Sequence, residues 1–278
     1  MTRDRVGPRR GAGRLLPGHH AVVTGGSSGI GLATARQLAS RGLTVSLVAR
    51  REELLRQVAD DLRAGGATVH VAAVDVADQR AVSEAIAHLE GIAGPCDVLV
   101  TAAGQARPGH FLELDDDVFR VMMEVDYFGT LHAVRAVVPG MVERGRGSVV
   151  AVASGAALLG VFGYSAYSPA KSAVRGLMET LRSELRPHGV HVACAFPADV
   201  DTPQLAEENE HKPAETAAIS GRVRPVQPEV VATAILRAVE SDRFAIYSDR
   251  GTRLLSGLGP MLAPALRRFV DRTVRSVR

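Results

Sequence analysis

The chain has 278 residues, 46% hydrophobic and 23% charged, with 28 glycines, 14 prolines and a formal net charge of +3. That is enough apolar material for a sizeable core in one large domain or two small ones. The charge is too mild and scattered for a nucleic-acid surface, aromatics are too scarce for base stacking, and no apolar run reaches the roughly 20 residues of a membrane span.

Residues 1–18 are basic and Gly/Pro-rich without an apolar signal core, which predicts a mobile tail and no secretory leader. From residue 19 short apolar runs alternate with helical patterns. "AVVTG" (21–25) leads through a helix to "TVSLVAR" (44–50), and a second helix leads to "TVHVAAVDV" (68–76). A helix over 78–93 precedes "CDVLVTAAG" (96–104), and one long helix is expected over 115–144. "SVVAVAS" (148–154) precedes a helix over 164–186, and "VHVACAFP" (190–197) precedes a polar stretch over 201–226. A helix over 228–241 and "RFAIYS" (243–248) complete the repeat. Strands without polar alternation are buried on both faces, as in parallel sheets. The expected fold is α/β: a Rossmann-type doubly wound sheet of about seven strands with helices on both faces, one domain over 19–250. Cys96 and Cys194 lie in β-branched runs and read as buried small hydrophobes, consistent with a reducing cytoplasm. No metal is expected.

The first strand ends in "TGGSSGIG", Thr24 to Gly31, at the opening of a helix. Gly25 permits a tight turn, Gly29 lets the backbone approach a pyrophosphate, and Gly31 lets helix and strand pack closely. With Ser27, Ser28 and Ile30 they place free helix N–H groups before the phosphates of a dinucleotide; the alternative is an ordinary βα turn. The second strand ends in Ala49, Arg50 and Arg51, with no carboxylate for a ribose hydroxyl. An arginine fork suits a 2′-phosphate, so NADP(H) is favoured over NAD(H), although one arginine or both can be a solvated helix start. Asp75, with Val76 beside it, closes the third strand; its carboxylate accepts from an adenine amino group or caps the next helix.

Among the 33 lysines and arginines only Lys171 and Lys212 are lysine. Lys171 follows Tyr167 by four residues, one helical turn, so the two share a face. A neighbouring ammonium favours phenolate, and a tyrosine so tuned exchanges a proton with a substrate oxygen. Arginine lacks the compact, rotatable ammonium that also reaches ribose hydroxyls. Ser154 ends a strand at the edge where open α/β sheets bind ligands, and can hold a carbonyl in line with Tyr167. The bland alternatives are a surface lysine and a turn cap.

These residues resemble the short-chain dehydrogenase/reductase family over about 18–250. The glycine motif matches Thr24, Gly25, Gly29 and Gly31, and the family's serine, tyrosine and lysine match Ser154, Tyr167 and Lys171. The Asn-Asn-Ala-Gly after the fourth strand reads Thr101, Ala102, Ala103, Gly104. The Pro-Gly after the sixth reads Pro197, Ala198, with Val200 and Thr202 placed to hold the nicotinamide carboxamide. The family's fourth catalytic residue, an asparagine, falls at Asp126, which can hold a relay water and pair with Lys171 but changes the local charge. The stretches "SGAALLGVFGYSAYSPAKSAVRGL" and "FPADVDTPQLAEENEHKPAETAAIS" look like 3-ketodihydrosphingosine reductases. That likeness implies NADPH-dependent reduction of a sphingoid 3-keto group, and the wider family resemblance implies a homodimer or homotetramer. The membrane segments of eukaryotic members are missing, and the arginine- and alanine-rich style points to a GC-rich bacterium.

Residues 201–226 have the length of a substrate lid. Leu205, Ala206 and Ile219 are candidates to cover an acyl chain, and Glu207 or Glu208 to meet a cationic amine; the alternative is a solvated acidic loop. From Arg243 onward eight arginines face two aspartates, so 251–278 reads as a basic amphipathic segment. It lies on an anionic bilayer, giving a cytoplasmic protein peripheral at the inner face of a membrane, or packs on protein. Other readings are a reductase of another ketone (a 3-oxoacyl thioester, steroid or retinoid) and a catalytically silent nucleotide-binding regulator. Asp126 and Thr101 favour the silent regulator, and the intact Ser154, Tyr167 and Lys171 argue against it.

Overall fold

The apolar runs become strands of one parallel sheet because every second side chain meets a different helical layer. A computed structural model describes residues 15–220 and 224–277. The strands are β1 (His20–Thr24), β2 (Thr44–Ala49), β3 (Val69–Ala73), β4 (Cys96–Thr101), β5 (Gly147–Val152), β6 (Val190–Ala195) and β7 (Ala245–Ile246). Their order is β3-β2-β1-β4-β5-β6-β7, all parallel. Ala21 and Val23 of β1 pack with α1 (Gly29–Ala39), α2 (Glu52–Ala64) and α9 (Pro228–Ser241). Val22 packs on the other face with α3 (Gln79–Ala93), α5 (Gly129–Arg144) and α6 (Tyr167–Leu185). Both faces are apolar, so the strands carry no polar alternation. Cys96 and Cys194 are buried and free. The strand order reverses between β1 and β4, and the crevice beyond their carboxyl ends is where such sheets take ligands.

Four segments differ from the expected pattern. The long helix is interrupted: α4 (Asp116–Met122) passes through one wide π turn, Met123–Phe128, before α5 begins. The edge strands are short, β3 ending at Ala73 and β7 spanning two residues, because each has a neighbour on one side only. The polar stretch folds into α7 (Pro203–His211) and α8 (Ala214–Ser220): Thr202 caps α7 by accepting from the Leu205 N–H, Pro203 takes the first position, and Pro213 separates the two. A Val200–Val226 bridge closes the base of this excursion. The C-terminal segment is α10 (Arg250–Val277), packed against α8.

The expected N-terminal tail lies outside the described residues as far as residue 14. Leu15 packs against the core, and Gly18 donates its N–H to the Gly42 carbonyl at 2.9 Å.

Candidate active site

A cleft of about 850 Å³ runs along the carboxyl edge of the sheet. Its floor is the turn between β1 and α1. Gly25 has φ +69°, and a Cβ there would stand 2.6 Å from the Ala102 carbonyl carbon, so only glycine lets this turn approach the end of β4. Ser27, Ser28, Gly29 and Ile30 line the cleft. Helix α1 has no side-chain cap at Ser28 and no acidic residue in its first turn, leaving its leading N–H groups for an anion. Gly31 packs beneath the turn. Thr24 is buried there, and its hydroxyl accepts from the Ala103 N–H at 3.4 Å. Arg50, Arg51, Val76, Ala102, Ala103, Gly104, Pro197, Val200 and Thr202 complete this half of the wall. A cradle of backbone N–H groups with two arginines beyond β2 fits a phosphorylated dinucleotide.

Asp75 stands apart from this lining. It lies past the end of β3, accepts from the Ala77 N–H at 3.0 Å, and comes within 3.9 Å of Arg50. The helix cap considered for it belongs to Asp78, which accepts from the Ala81 N–H.

The opposite wall carries the groups able to move a proton. Ser154 follows β5 and caps a single turn, its hydroxyl accepting from the Ala156 N–H at 3.1 Å while partnering the Tyr167 phenol. The cap and the phenol contact thus coexist. Tyr167 opens α6, and Lys171 follows one turn later on the buried face that continues through Val174 and Met178. The Lys171 ammonium donates to the Val152 carbonyl at 3.1 Å, stands 3.2 Å from Asp126 Oδ1, and lies 5.7 Å from the Tyr167 ring centre. Asp126 Oδ1 also accepts from the Gln105 N–H at 3.2 Å. A Cβ on Gly104 would fall 2.7 Å from that same oxygen, so a side chain at 104 would split the ion pair.

Burial pushes the Tyr167 phenol well above its ordinary range; the Asp126 and Glu208 carboxylates add to this, and the Ser154 hydroxyl opposes it. Burial is the largest of these effects, and it works against the downward pull expected of Lys171. Burial likewise raises the Asp126 carboxyl against the opposing effect of Lys171.

The cleft is also bordered by α7 and α8, the segment expected to act as a lid. Leu205 and Ile219 line the cleft, whereas Ala206 is exposed on the outer side of α7. Glu208 is buried; one carboxylate oxygen accepts from the Tyr164 hydroxyl and the other from Gln204 Nε2, each at 2.9 Å. Burial raises this carboxyl, with both donors opposing. Glu207 lines the cleft from an exposed position, and Lys212 lies 3.8 Å from Asp199. The lid is tied down by Thr216, which donates to the Phe162 carbonyl at 2.9 Å, and by Glu215, 3.1 Å from His110 Nε2.

Sequence reasoning missed Tyr164, Gln105, Lys212 and two residues of α10, Thr252 and Leu255, all of which line the cleft. Tyr164 had a signal: it precedes Tyr167 by three residues, and the two rings lie 5.7 Å apart. The residues of α10 had none.

The short chain dehydrogenase family model matches residues 19–213. The chain is 41% identical over 254 residues to the 3-ketodihydrosphingosine reductase of Mus musculus, covering 90% of this chain and 76% of that protein. The expected bacterial source gains no support from this mammalian relative. Among solved structures, an actinorhodin polyketide ketoreductase variant with NADPH is 33% identical with a TM-score of 0.78, over 84% of this chain and 97% of that one. A short chain dehydrogenase/reductase from Burkholderia phymatum in complex with NAD is 27% identical with a TM-score of 0.82, over 91% of this chain and 96% of that one.

Proposed function

The chain belongs to the short-chain dehydrogenase family of nicotinamide-dependent oxidoreductases, and from that premise we propose that it reduces the 3-keto group of a long-chain sphingoid base with NADPH. One observation carries this reading. A single cleft holds a hydroxyl, a phenol and an ammonium, with the buried Glu208 carboxylate bonded to Tyr164 next to that phenol and apolar residues of α7 and α8 alongside. The name of the mouse relative supports the substrate class.

The bound nicotinamide would supply hydride to the ketone carbon. Ser154 donates to the ketone oxygen and holds it against the Tyr167 hydroxyl. As negative charge grows on that oxygen, the Tyr167 O–H bond breaks and its proton completes the alcohol. Lys171 holds the ribose hydroxyls. The backbone of Ser27 to Ile30 holds the phosphates, with Arg50 and Arg51 at the 2′-phosphate. Ala102, Ala103 and Gly104 flank the dinucleotide, and Val200 and Thr202 meet the carboxamide. At the lid Leu205 covers the chain. Glu208 keeps acceptor capacity beyond its two present partners and meets the substrate ammonium, in surroundings where the attraction is poorly screened.

The test follows NADPH and NADH absorbance over a panel of 3-ketodihydrosphingosine, a 3-oxoacyl thioester, a steroid and a retinoid, with Tyr167→Phe as control. Turnover confined to the thioester, as the polyketide relative would favour, overturns the sphingoid reading. Turnover with NADH alone overturns the role given to the arginines.

A lipid substrate also gives α10 a purpose. Leu254, Leu258, Met261, Leu262 and Phe269 are exposed along one side of the helix, and the exposed Arg267, Arg268, Arg272 and Arg275 follow in its last turns. Among the described residues no helix is long and apolar enough to cross a membrane. Such a helix lies in the plane of an anionic interface, and its first turns line the cleft. Full-length protein should sediment with phosphatidylserine vesicles, and Leu258→Asp with Phe269→Asp should release it; equal binding by both proteins refutes the contact.

A further inference from the structure

Asp126 stands where the resemblance calls for an asparagine, and it differs from an amide in charge rather than in shape. Its carboxylate is fully buried in the π turn between α4 and α5. Oδ1 is shared by the Lys171 ammonium and the Gln105 N–H, while Oδ2 is enclosed with no hydrogen-bond partner. The backbone is held as well, since the Thr130 hydroxyl donates to the Asp126 carbonyl at 2.9 Å.

The charges around the Tyr167 phenol come from several elements. Lys171 faces it from α6 and Asp126 from the π turn. Glu208 lies on α7, Asp199 on the loop before it, and Lys212 between α7 and α8, while neutral Tyr164 and Ser154 fill the gaps. With aspartate at 126 this surround holds two ammonium groups and three carboxylates. An asparagine there would leave two of each.

We propose that Asp126 is a positioning residue that cancels the charge of Lys171, so that Tyr167 stays a proton donor and the site is set for protonating a carbonyl oxygen rather than deprotonating an alcohol. This deepens the reductase reading and rests on it only for the identity of the substrate. In the forward step the phenol proton goes to the ketone oxygen as hydride reaches the carbon, and the phenolate left behind recovers a proton from solvent. The reverse step needs the phenolate first. Next to a neutralised ammonium, in dry surroundings, that form appears only in alkaline medium. The equilibrium constant of the reaction is unchanged; what moves is the pH at which each direction runs.

The chain has no tryptophan and four tyrosines, so tyrosinate absorbance can be followed directly, and subtracting the same titration of Tyr167→Phe isolates one phenol. This measurement needs no substrate, so it can fail independently of the sphingoid assignment. Asp126→Asn should bring the Tyr167 signal to lower pH by about one to two units, the usual effect of removing a like charge nearby. The pH profile of 1-tetralol oxidation with NADP+ should shift by the same amount. If Asp126→Asn does not fold, as judged by circular dichroism, Asp126→Thr removes the same charge and carries the same prediction. Coincident titrations and profiles in wild type and variant would overturn the proposal.

Discussion

The chain's two lysines sit in the walls of one cleft, each beside an aspartate, and the two pairs are built differently. Lys171 and Asp126 are 3.2 Å apart with side chains 6% and 0% exposed, held between a strand carbonyl, a helix of the core and the π turn. Lys212 and Asp199 are 3.8 Å apart and 8% and 36% exposed, at the lid. In the inner pair neither charge has water to fall back on, so each fixes the other. In the outer pair the aspartate remains hydrated and the attraction is screened. Fixed charge serves proton transfer, which needs one geometry. Screened charge suits a segment that must let a substrate in and out.

Three experiments test that difference, in order of expected effect. Lys171→Met should strand a buried carboxylate and lower stability by about 3–5 kcal/mol. Lys212→Met should lose less than about 1 kcal/mol, as at a partly exposed pair. Chemical denaturation of both variants measures this, and equal losses would erase the distinction. Glu208→Gln should raise KM for an amino-ketone about tenfold, the loss of one charge-assisted hydrogen bond, with kcat little changed. A des-amino analogue should be spared; equal damage to both would make Glu208 a mere lid support. The smallest effect concerns the lid tie. Hydrogen bonds donated by the protonated ring to Glu215 and Glu113 raise His110 above its usual 6.5. The contact is therefore complete below pH 6.5 and is lost as pH rises through the higher folded value. Lid mobility by hydrogen exchange at α8 should increase over that window in wild type and be independent of pH in His110→Ala.

What the sequence made legible was local. The strand and helix alternation is written in runs of Val, Ala and Leu, the glycine turn in eight consecutive residues, and the tyrosine–lysine pair in one helical turn. Each follows from spacing along the chain. The π turn did not show, because nothing between 115 and 144 interrupts the helical pattern near Met123–Phe128; the widening is visible only once Asp126 is seen turned into the core. The Tyr164–Glu208 bond joins residues 44 apart and exists only because the lid folds back over α6. The seating of Thr252 and Leu255 in the cleft depends on how α10 meets α8, a contact that no periodicity encodes. The burial that raises the Tyr167 phenol was hidden for the same reason, since it depends on elements far apart in the chain.

The Val200–Val226 bridge has a consequence for how such an enzyme diversifies. It brings the two ends of the intervening excursion to neighbouring-strand distance, so what lies between can be lengthened, shortened or replaced without disturbing β6 or α9. A lineage can thus graft a new hood for a new molecule while Ser154, Tyr167 and Lys171 stay on their own elements, and an engineer can transplant one in a single cassette.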